Sequence, residues 1–339
     1  MVHVGVDLHK QFSQVAVLTD EGEIREGRVE NEREAMVEYF RGLPPSRVAI
    51  EASGTWWWLV DLLEELGHEA VLSHPKQTKA IASARLKNDR VDAERLALLS
   101  RGDLLPTVWI PSASIREARE LFRHRVGLVW QRTVLRNRLT SLLARRNLRR
   151  KSGSSWFTKV GLAEMRALEL PASARAIRDD LLALLDALNE RIQSVETELV
   201  DRWGQDPRVR RLMTIPGIGG VTAMGLVIEI GNIDRFPSTK HLASYVGLTP
   251  RVRASAGRVR TGHISKEGNR LVRWLAVAAA TQAVRRAGRF KALYGRLARR
   301  RGKKVARVAV ARNLIGVVYH VWKDQIDYAE FLRRSACGG

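Results

Sequence analysis

Val2-His3-Val4-Gly5-Val6-Asp7-Leu8-His9-Lys10 is an apolar run of strand length that ends on a carboxylate. A strand of this kind carries its charge to the rim of a sheet, where loops from neighbouring strands converge. Asp7 is therefore a candidate metal ligand. Two later stretches offer acids to the same rim: Arg47-Val48-Ala49-Ile50-Glu51 and Lys87-Asn88-Asp89-Arg90-Val91-Asp92. Four carboxylates meeting in one place repel unless divalent cations sit between them.

Working outward, Phe12 to Leu18 reads as a second strand, Thr19 to Glu23 as a hairpin turn and Ile24 to Val29 as a third strand. A helix follows from Glu32 to Arg41 and stops before Pro44-Pro45, after which the strand ending on Glu51 begins. A helix from about Trp57 to Leu66 and a strand over Glu69–Ser73 come next. Three antiparallel strands and then alternating helices and strands is the order of an α/β, ribonuclease-H-like domain. Leu86 to Arg101 is expected to be a helix, on which Asp89 and Asp92 share a face because they stand three residues apart. Acids at a helix start also occur merely because they suit the helix dipole; it is the coincidence with Asp7 and Glu51 that points to metal. Trp56-Trp57-Trp58 reads as a helix start packed on the sheet, and His9 as a solvated strand-end histidine.

The chain has 339 residues, 45% of them hydrophobic, enough for two or three domains with real cores. A single cysteine, Cys337, excludes a disulfide framework and suits a reducing, cytoplasmic setting. Neither a membrane span nor a secretory signal is expected. The net charge of +22 is unevenly spread: residues 1–110 sum to −5 and residues 111–339 to +27. A field of that sign attracts polyanions, and the planar arginine fork suits phosphate.

From Ile115 to Arg150 the pattern is helical and basic, with Arg123, Arg125, Arg132, Arg136, Arg138, Arg145, Arg146, Arg149 and Arg150 around an apolar stripe. A second long helix spans Ala172 to Trp203, and Lys151 to Ser155 is a flexible turn between them. The two helices are expected to pair as an antiparallel hairpin or to dimerise as a coiled coil. The domains drawn from this are 1–110, a helical coiled-coil region 111–205, and a mainly α region 206–339.

In the last region, Pro216-Gly217-Ile218-Gly219 ahead of a helix reads as a helix-hairpin-helix turn whose backbone N–H groups, at Gly217 and Gly219, can cradle a phosphate. Between Tyr245 and Arg312 there are 19 basic residues against one acid, Glu267. Arg251, Arg253, Arg258, Arg260, Lys266 and Arg270 are candidate nucleic-acid contacts, and Arg299 to Lys304 a phosphate clamp. Ser255 stands in a Gly-containing loop among these arginines, where a hydroxyl can face a phosphodiester. On its own a loop serine is ordinarily no more than that.

Taken in order, Gly5-Val6-Asp7-Leu8-His9-Lys10, Ile50-Glu51-Ala52-Ser53-Gly54, Lys87 to Ala93, Pro216-Gly217-Ile218-Gly219, Gly247-Leu248-Thr249-Pro250, Ser255-Ala256-Gly257 and Gly262 to Asn269 resemble the IS-one-ten type insertion-sequence transposases, also called DEDD transposases. The resemblance runs over nearly the whole chain. It implies a RuvC-like N-terminal domain in which Asp7, Glu51, Asp89 and Asp92 bind Mg²⁺, and a C-terminal transposase domain with a nucleophilic serine. That serine is Ser255, with Ser265 as the fallback. It also implies donor and target DNA and a structured noncoding guide RNA as partners. A homo-oligomer, dimer or tetramer, is expected because the acids and Ser255 lie far apart in the sequence, and a site shared between subunits is one way to bring them together.

Rival readings are a junction-resolving nuclease that uses the acids and water without serine chemistry, and a nucleic-acid-binding scaffold whose acids are structural. An actin-like sugar kinase also opens with a strand ending on Asp. It needs a glycine-rich phosphate turn where His9-Lys10 stands here.

Overall fold

The computed structural model describes residues 1–52, 54–81, 89–150, 153–255 and 258–337; the side chains of residues 89, 90, 252–255, 258–261 and 337 are also outside the description. The chain forms two compact units, Met1–Pro111 and Ser112–Gly339.

The first unit runs β1 (Val2–Leu8), β2 (Phe12–Leu18), β3 (Ile24–Glu30), α1 (Arg33–Arg41), β4 (Ser46–Glu51), α2 (Trp57–Glu65), β5 (Glu69–Ser73), α3 (Pro75–Ile81), α4 (Asp89–Arg101) and β6 (Thr107–Val108). Its six-stranded sheet has the order β3-β2-β1-β4-β5-β6. The first three strands are antiparallel, β4 and β5 join parallel to β1, and β6 closes the edge antiparallel. That order is consistent with the ribonuclease-H-like expectation.

Alternation along β1 sends its residues to two faces. Val4 and Val6 lie with Val15, Val17, Val48, Ile50 and Leu72 against Met36 and Phe40 of α1 and Leu59, Leu62 and Leu63 of α2. Trp56 and Trp58 pack on the rim of this core, as read from the sequence. The other face is made of small residues, Gly5 paired with Ala16 and with Ala49. That is the side on which α4 lies, so closely that a Cβ on Gly5 would run into the carbonyl oxygen of Ala93 and stand 2.7 Å from the nitrogen of Ala97. The helix expected from Leu86 begins, within the described residues, at Asp89; residues 82–88 lie outside them.

The second unit contains α5 (Ala113–Ala144), α6 (Lys159–Ala167), α7 (Ala172–Trp203), α8 (Pro207–Met213), α9 (Gly220–Ile230), α10 (Thr239–Tyr245), β7 (Pro250–Ser255), β8 (Arg258–Ile264), α11 (Arg270–Ala283), α12 (Arg289–Arg301), α13 (Lys303–Lys323) and α14 (Tyr328–Cys337). It is mostly helical. Helix α5 ends six residues before the expected Arg150, and Asn147 turns the chain with a positive φ of 54°. The turn read over Lys151–Ser155 begins on residues 151 and 152, outside those described.

Helices α5 and α7 pair antiparallel within one chain. Arg125 donates to Glu196 and Arg132 to Asn189, so the contacts step seven residues up one helix and seven down the other. Leu135, Leu139 and Leu143 meet Leu181, Leu182 and Leu185 between them. At the opposite end Phe122 and Leu199 enter the core formed by α9, α11 and α13. Gly225 of α9 admits the Phe122 ring where a Cβ would clash with it.

Candidate active site and nucleic-acid interface

In the sheet, Asp7 and Glu51 stand one step beyond the paired Val6 and Ile50 of adjacent parallel strands. By alternation they share the face of Gly5 and Ala49, the face that α4 covers. Helix α4 runs antiparallel to β1: Ser100 Oγ lies 3.0 Å from His3 Nδ1, and Ala93 and Ala97 lie over Gly5. Two strand residues advance about as far as four or five helix residues. The next step of β1 therefore brings Asp7 level with the first turn of α4. Asp89 and Asp92 both belong to that first turn.

These acids come from three segments, β1, β4 and α4. Asp7 Oδ2 lies 3.3 Å from His9 Nε2. Asp92 Oδ1 accepts from Arg95 Nη1 at 3.1 Å, and Glu51 is exposed at the end of β4. Among the described residues, no three His, Cys, Asp or Glu side chains stand close enough together to hold a metal ion. The side chain of Asp89 is outside the described ones. The donor set is chemically suited to a hard cation such as Mg²⁺, which takes carboxylate oxygens and keeps several waters. The cradle at Gly5, which any Cβ would fill, is what lets α4 lie directly on the strand.

In the second unit, the segment read as a loop around Ser255 is a two-stranded hairpin, β7 with β8. Its register sets Arg253 opposite Arg260 and Ser255 opposite Arg258. With a period of two, positions 253, 255, 258 and 260 share one face of the ribbon. The side chains there, Ser255 included, are outside the described ones.

The base of that hairpin is tightly determined. Gly247 (φ 71°) and Gly268 (φ 110°) take left-handed conformations, and a Cβ on either would collide with backbone, Glu267 for the first and Tyr245 for the second. Ser265 N donates to Thr249 O at 2.8 Å and Asn269 N to Tyr245 O at 2.7 Å. Asn269 also caps α11, its Oδ1 accepting from Leu271 N and Val272 N. Lys266 and Arg270 are exposed beside it, and Arg251 Nη2 donates to Ser265 O.

Sequence reasoning missed the residue on which this base rests. Glu229, on α9, has no exposed surface. Its carboxylate accepts from Arg123 Nε and Nη2 at 2.7 and 2.9 Å and from Asn269 Nδ2 at 2.7 Å. Its carbonyl accepts from Arg119 Nη2 at 2.6 Å and from the Tyr245 hydroxyl at 3.2 Å. The hydrogen bonds to Glu229 raise the Arg123 pKa, whereas burial lowers those of Arg119 and Arg235. The signal was a lone acid inside the apolar run Met224-Gly225-Leu226-Val227-Ile228-Glu229-Ile230. Arg123 and Arg125, read as open basic faces, are paired with Glu229 and Glu196, and Arg150 Nε donates to Glu164 at 2.7 Å.

Pro216-Gly217-Ile218-Gly219 joins α8 to α9 as expected. Gly217 (φ 91°) is required twice, by the turn and because a Cβ would press into α11 at Ala279 and Ala283. Gly219 precedes α9 with open space around its Cα. Beside the turn is a cleft of about 510 Å³ that Arg285 and Arg286 also line.

Residues 4–147 match a family of DEDD transposases, and residues 209–295 match the family described as Transposase IS116/IS110/IS902. A probable family 20 transposase of Pseudomonas aeruginosa is 31% identical over 83% of this chain and 84% of its own. The chain belongs to this transposase family. The transposase for insertion sequence element IS1111A of Coxiella burnetii is 26% identical over 96% of this chain and 90% of its own. A pilin gene-inverting protein of Moraxella bovis is 28% identical over 60% and 56%. As a member of the IS116/IS110/IS902 transposases, the chain is a DNA-cutting, strand-transferring enzyme of an insertion element. Among the described residues, no helix is long and apolar enough to cross a membrane.

Proposed function

We propose that this transposase cuts and exchanges DNA strands through Ser255, with Asp7, Glu51, Asp89 and Asp92 holding Mg²⁺, and that a structured noncoding RNA of its own element guides it. The observation that supports the reading is the hairpin register, which pairs position 253 with 260 and position 255 with 258, so that Ser255 belongs to an arginine-rich ribbon. Like charges directly opposite one another destabilise a strand pair, so such a ribbon is suited to face a polyanion. In the reaction, Ser255 Oγ attacks a backbone phosphorus. The Oγ–P bond forms as the P–O3′ bond breaks, the serine proton is lost, and the departing oxygen takes up a proton to become a free 3′-hydroxyl. The arginines balance charge that grows on the phosphate oxygens. A divalent cation, when bound by the acids, adds to that stabilisation.

An isolated hydroxyl is a poor nucleophile near neutral pH, so the acids and Ser255 must act on one phosphate. They belong to different compact units, and we propose a homo-oligomer, dimer or tetramer, in which they meet. The helix-hairpin-helix turn at Gly217 and Gly219, with Arg285 and Arg286 beside it, holds a neighbouring phosphate. Arg251, Lys266 and Arg270 add positioning contacts.

The test is a denaturing gel of the enzyme with an end-labelled substrate containing its element's junction. Wild type is expected to leave a covalent protein–DNA adduct and Ser255→Ala none, with RNA binding intact. Cleavage persisting in Ser255→Ala without an adduct would establish instead the rival nuclease route, in which water attacks.

A further inference from the structure

A groove of about 660 Å³ opens between α5 and α11 and shares the anchor Asn269 with the Ser255 hairpin. Trp130 and Trp274 line it with 71% and 48% of their surface exposed. Neither indole stacks on another aromatic ring among the described residues. Arg123 and Arg270 line the same groove and no carboxylate does. Arg123 is held by Glu229, while Arg270 has no ion pair among the described residues. Part of the wall is Gly127, in the middle of the 32-residue helix α5. Glycine in a helix interior is unfavourable, and nothing lies within 4 Å of where a Cβ at 127 would stand. Packing therefore does not call for glycine there; its effect is to leave the groove open.

We propose that this groove takes unpaired bases of single-stranded DNA, which stack on Trp130 and Trp274 while Arg270 meets the backbone phosphate. The proposal rests on the reading of the chain as a strand-exchanging enzyme, because exchange separates a cut strand from its complement. Exposed π-faces bordered by cations are the chemistry that holds a single strand without reading its sequence, whereas a duplex keeps its base faces covered. A second copy of the chain is a poorer occupant. It would bring its own basic surface, including the +18 segment from Tyr245 to Arg312, against two arginines with no acid to receive it.

The experiment measures binding of labelled oligothymidylate by the full-length chain, carrying Ser255→Ala so that no cleavage intervenes, with blunt duplex and oligouridine as parallel probes. Trp130→Ala and Trp274→Ala are each expected to weaken oligothymidylate binding roughly ten-fold, the size of effect found on removing a stacking ring. Trp274→Tyr should restore most of it, and duplex affinity should be unchanged. Gly127→Leu sets a bulky side chain into the groove wall while removing none of its polar or aromatic groups, and is expected to weaken oligothymidylate binding with the thermal midpoint kept or raised. Unchanged binding by Gly127→Leu and by the variant that combines Trp130→Ala with Trp274→Ala overturns the proposal. So does an equal loss on duplex, tighter binding of oligouridine than of oligothymidylate, or a change of oligomeric mass with oligothymidylate binding intact. Because the readout is binding, it stands or falls independently of which group cuts the DNA.

Discussion

A carboxylate with no exposed surface, as Glu229 is, persists in an apolar core only when cations and donors replace the water it has lost. Here Arg123 and Asn269 do so, and both tie it to functional segments: Asn269 ends the Gly-x-Ile-x-Lys-x-Gly-Asn stretch and starts α11, while Arg123 is on the helix that pairs with α7. Glu229→Gln removes the charge but keeps the shape, leaving the Arg123 guanidinium without its partner. Because the Arg123 side chain is half exposed, water compensates in part, and a loss of about 2 kcal/mol is expected, below the range for fully buried pairs. Chemical denaturation measures it. In a double-mutant cycle with Arg123→Met, the pair should couple by about 1 kcal/mol or more. Additive effects would mean that the two residues do not act together. Strand cleavage should fall further than DNA binding, since what is loosened is the base of the Ser255 hairpin.

Among elements, the contact of α4 with β1 decides whether the acids meet. Gly5 is an ordinary strand residue by backbone, and its role is to have no side chain where Ala93 comes down on it. Gly5→Ala must push the helix off the strand, at a cost of about 3 kcal/mol by analogy with overpacked cores. It should also carry Asp92 away from Asp7 and abolish cleavage even where the protein remains folded. Circular dichroism melting and the cleavage assay together check this; a fully active, equally stable variant would falsify the placement of the acids. This part of the fold was legible in the sequence because β1, β2, β4 and β5 alternate or run apolar with acids at their ends, which is a pattern set by burial. The hairpin was less so. Arg251-Val252-Arg253-Ala254 and Arg258-Val259-Arg260-Thr261 do alternate with a period of two, but arginine so dominates them that they read as a charged loop. Glu229 showed only as a lone acid in an apolar run, without its partners, and the Trp130 and Trp274 groove not at all, because both depend on which helices meet, and nothing local specifies that.

Over the whole molecule, the count of basic residues overstates the charge offered to DNA. In the second unit many cations are answered at home: Arg166 by Asp186, Arg202 by Glu198, Arg208 by Asp206, Lys323 by Asp234. The segment from Tyr245 to Arg312 has a single acid for its 19 basic residues, and none of its cations is ion-paired among the described residues. Binding that releases counterions from DNA falls with salt by a log–log slope of about 0.9 for each phosphate neutralised. If the unanswered segment does this neutralising, replacing Arg299, Arg300 and Arg301 at the end of α12 by Gln should lower the slope by about one for each phosphate no longer neutralised, with little effect on which sequence is bound. Replacing the paired Arg166 and Arg202 by Gln removes as much formal charge from the same unit per residue and should leave the slope nearly where it was. Equal changes in the two sets, read from binding isotherms across a salt series, would show that net charge alone sets affinity and that the distribution along the chain does not matter.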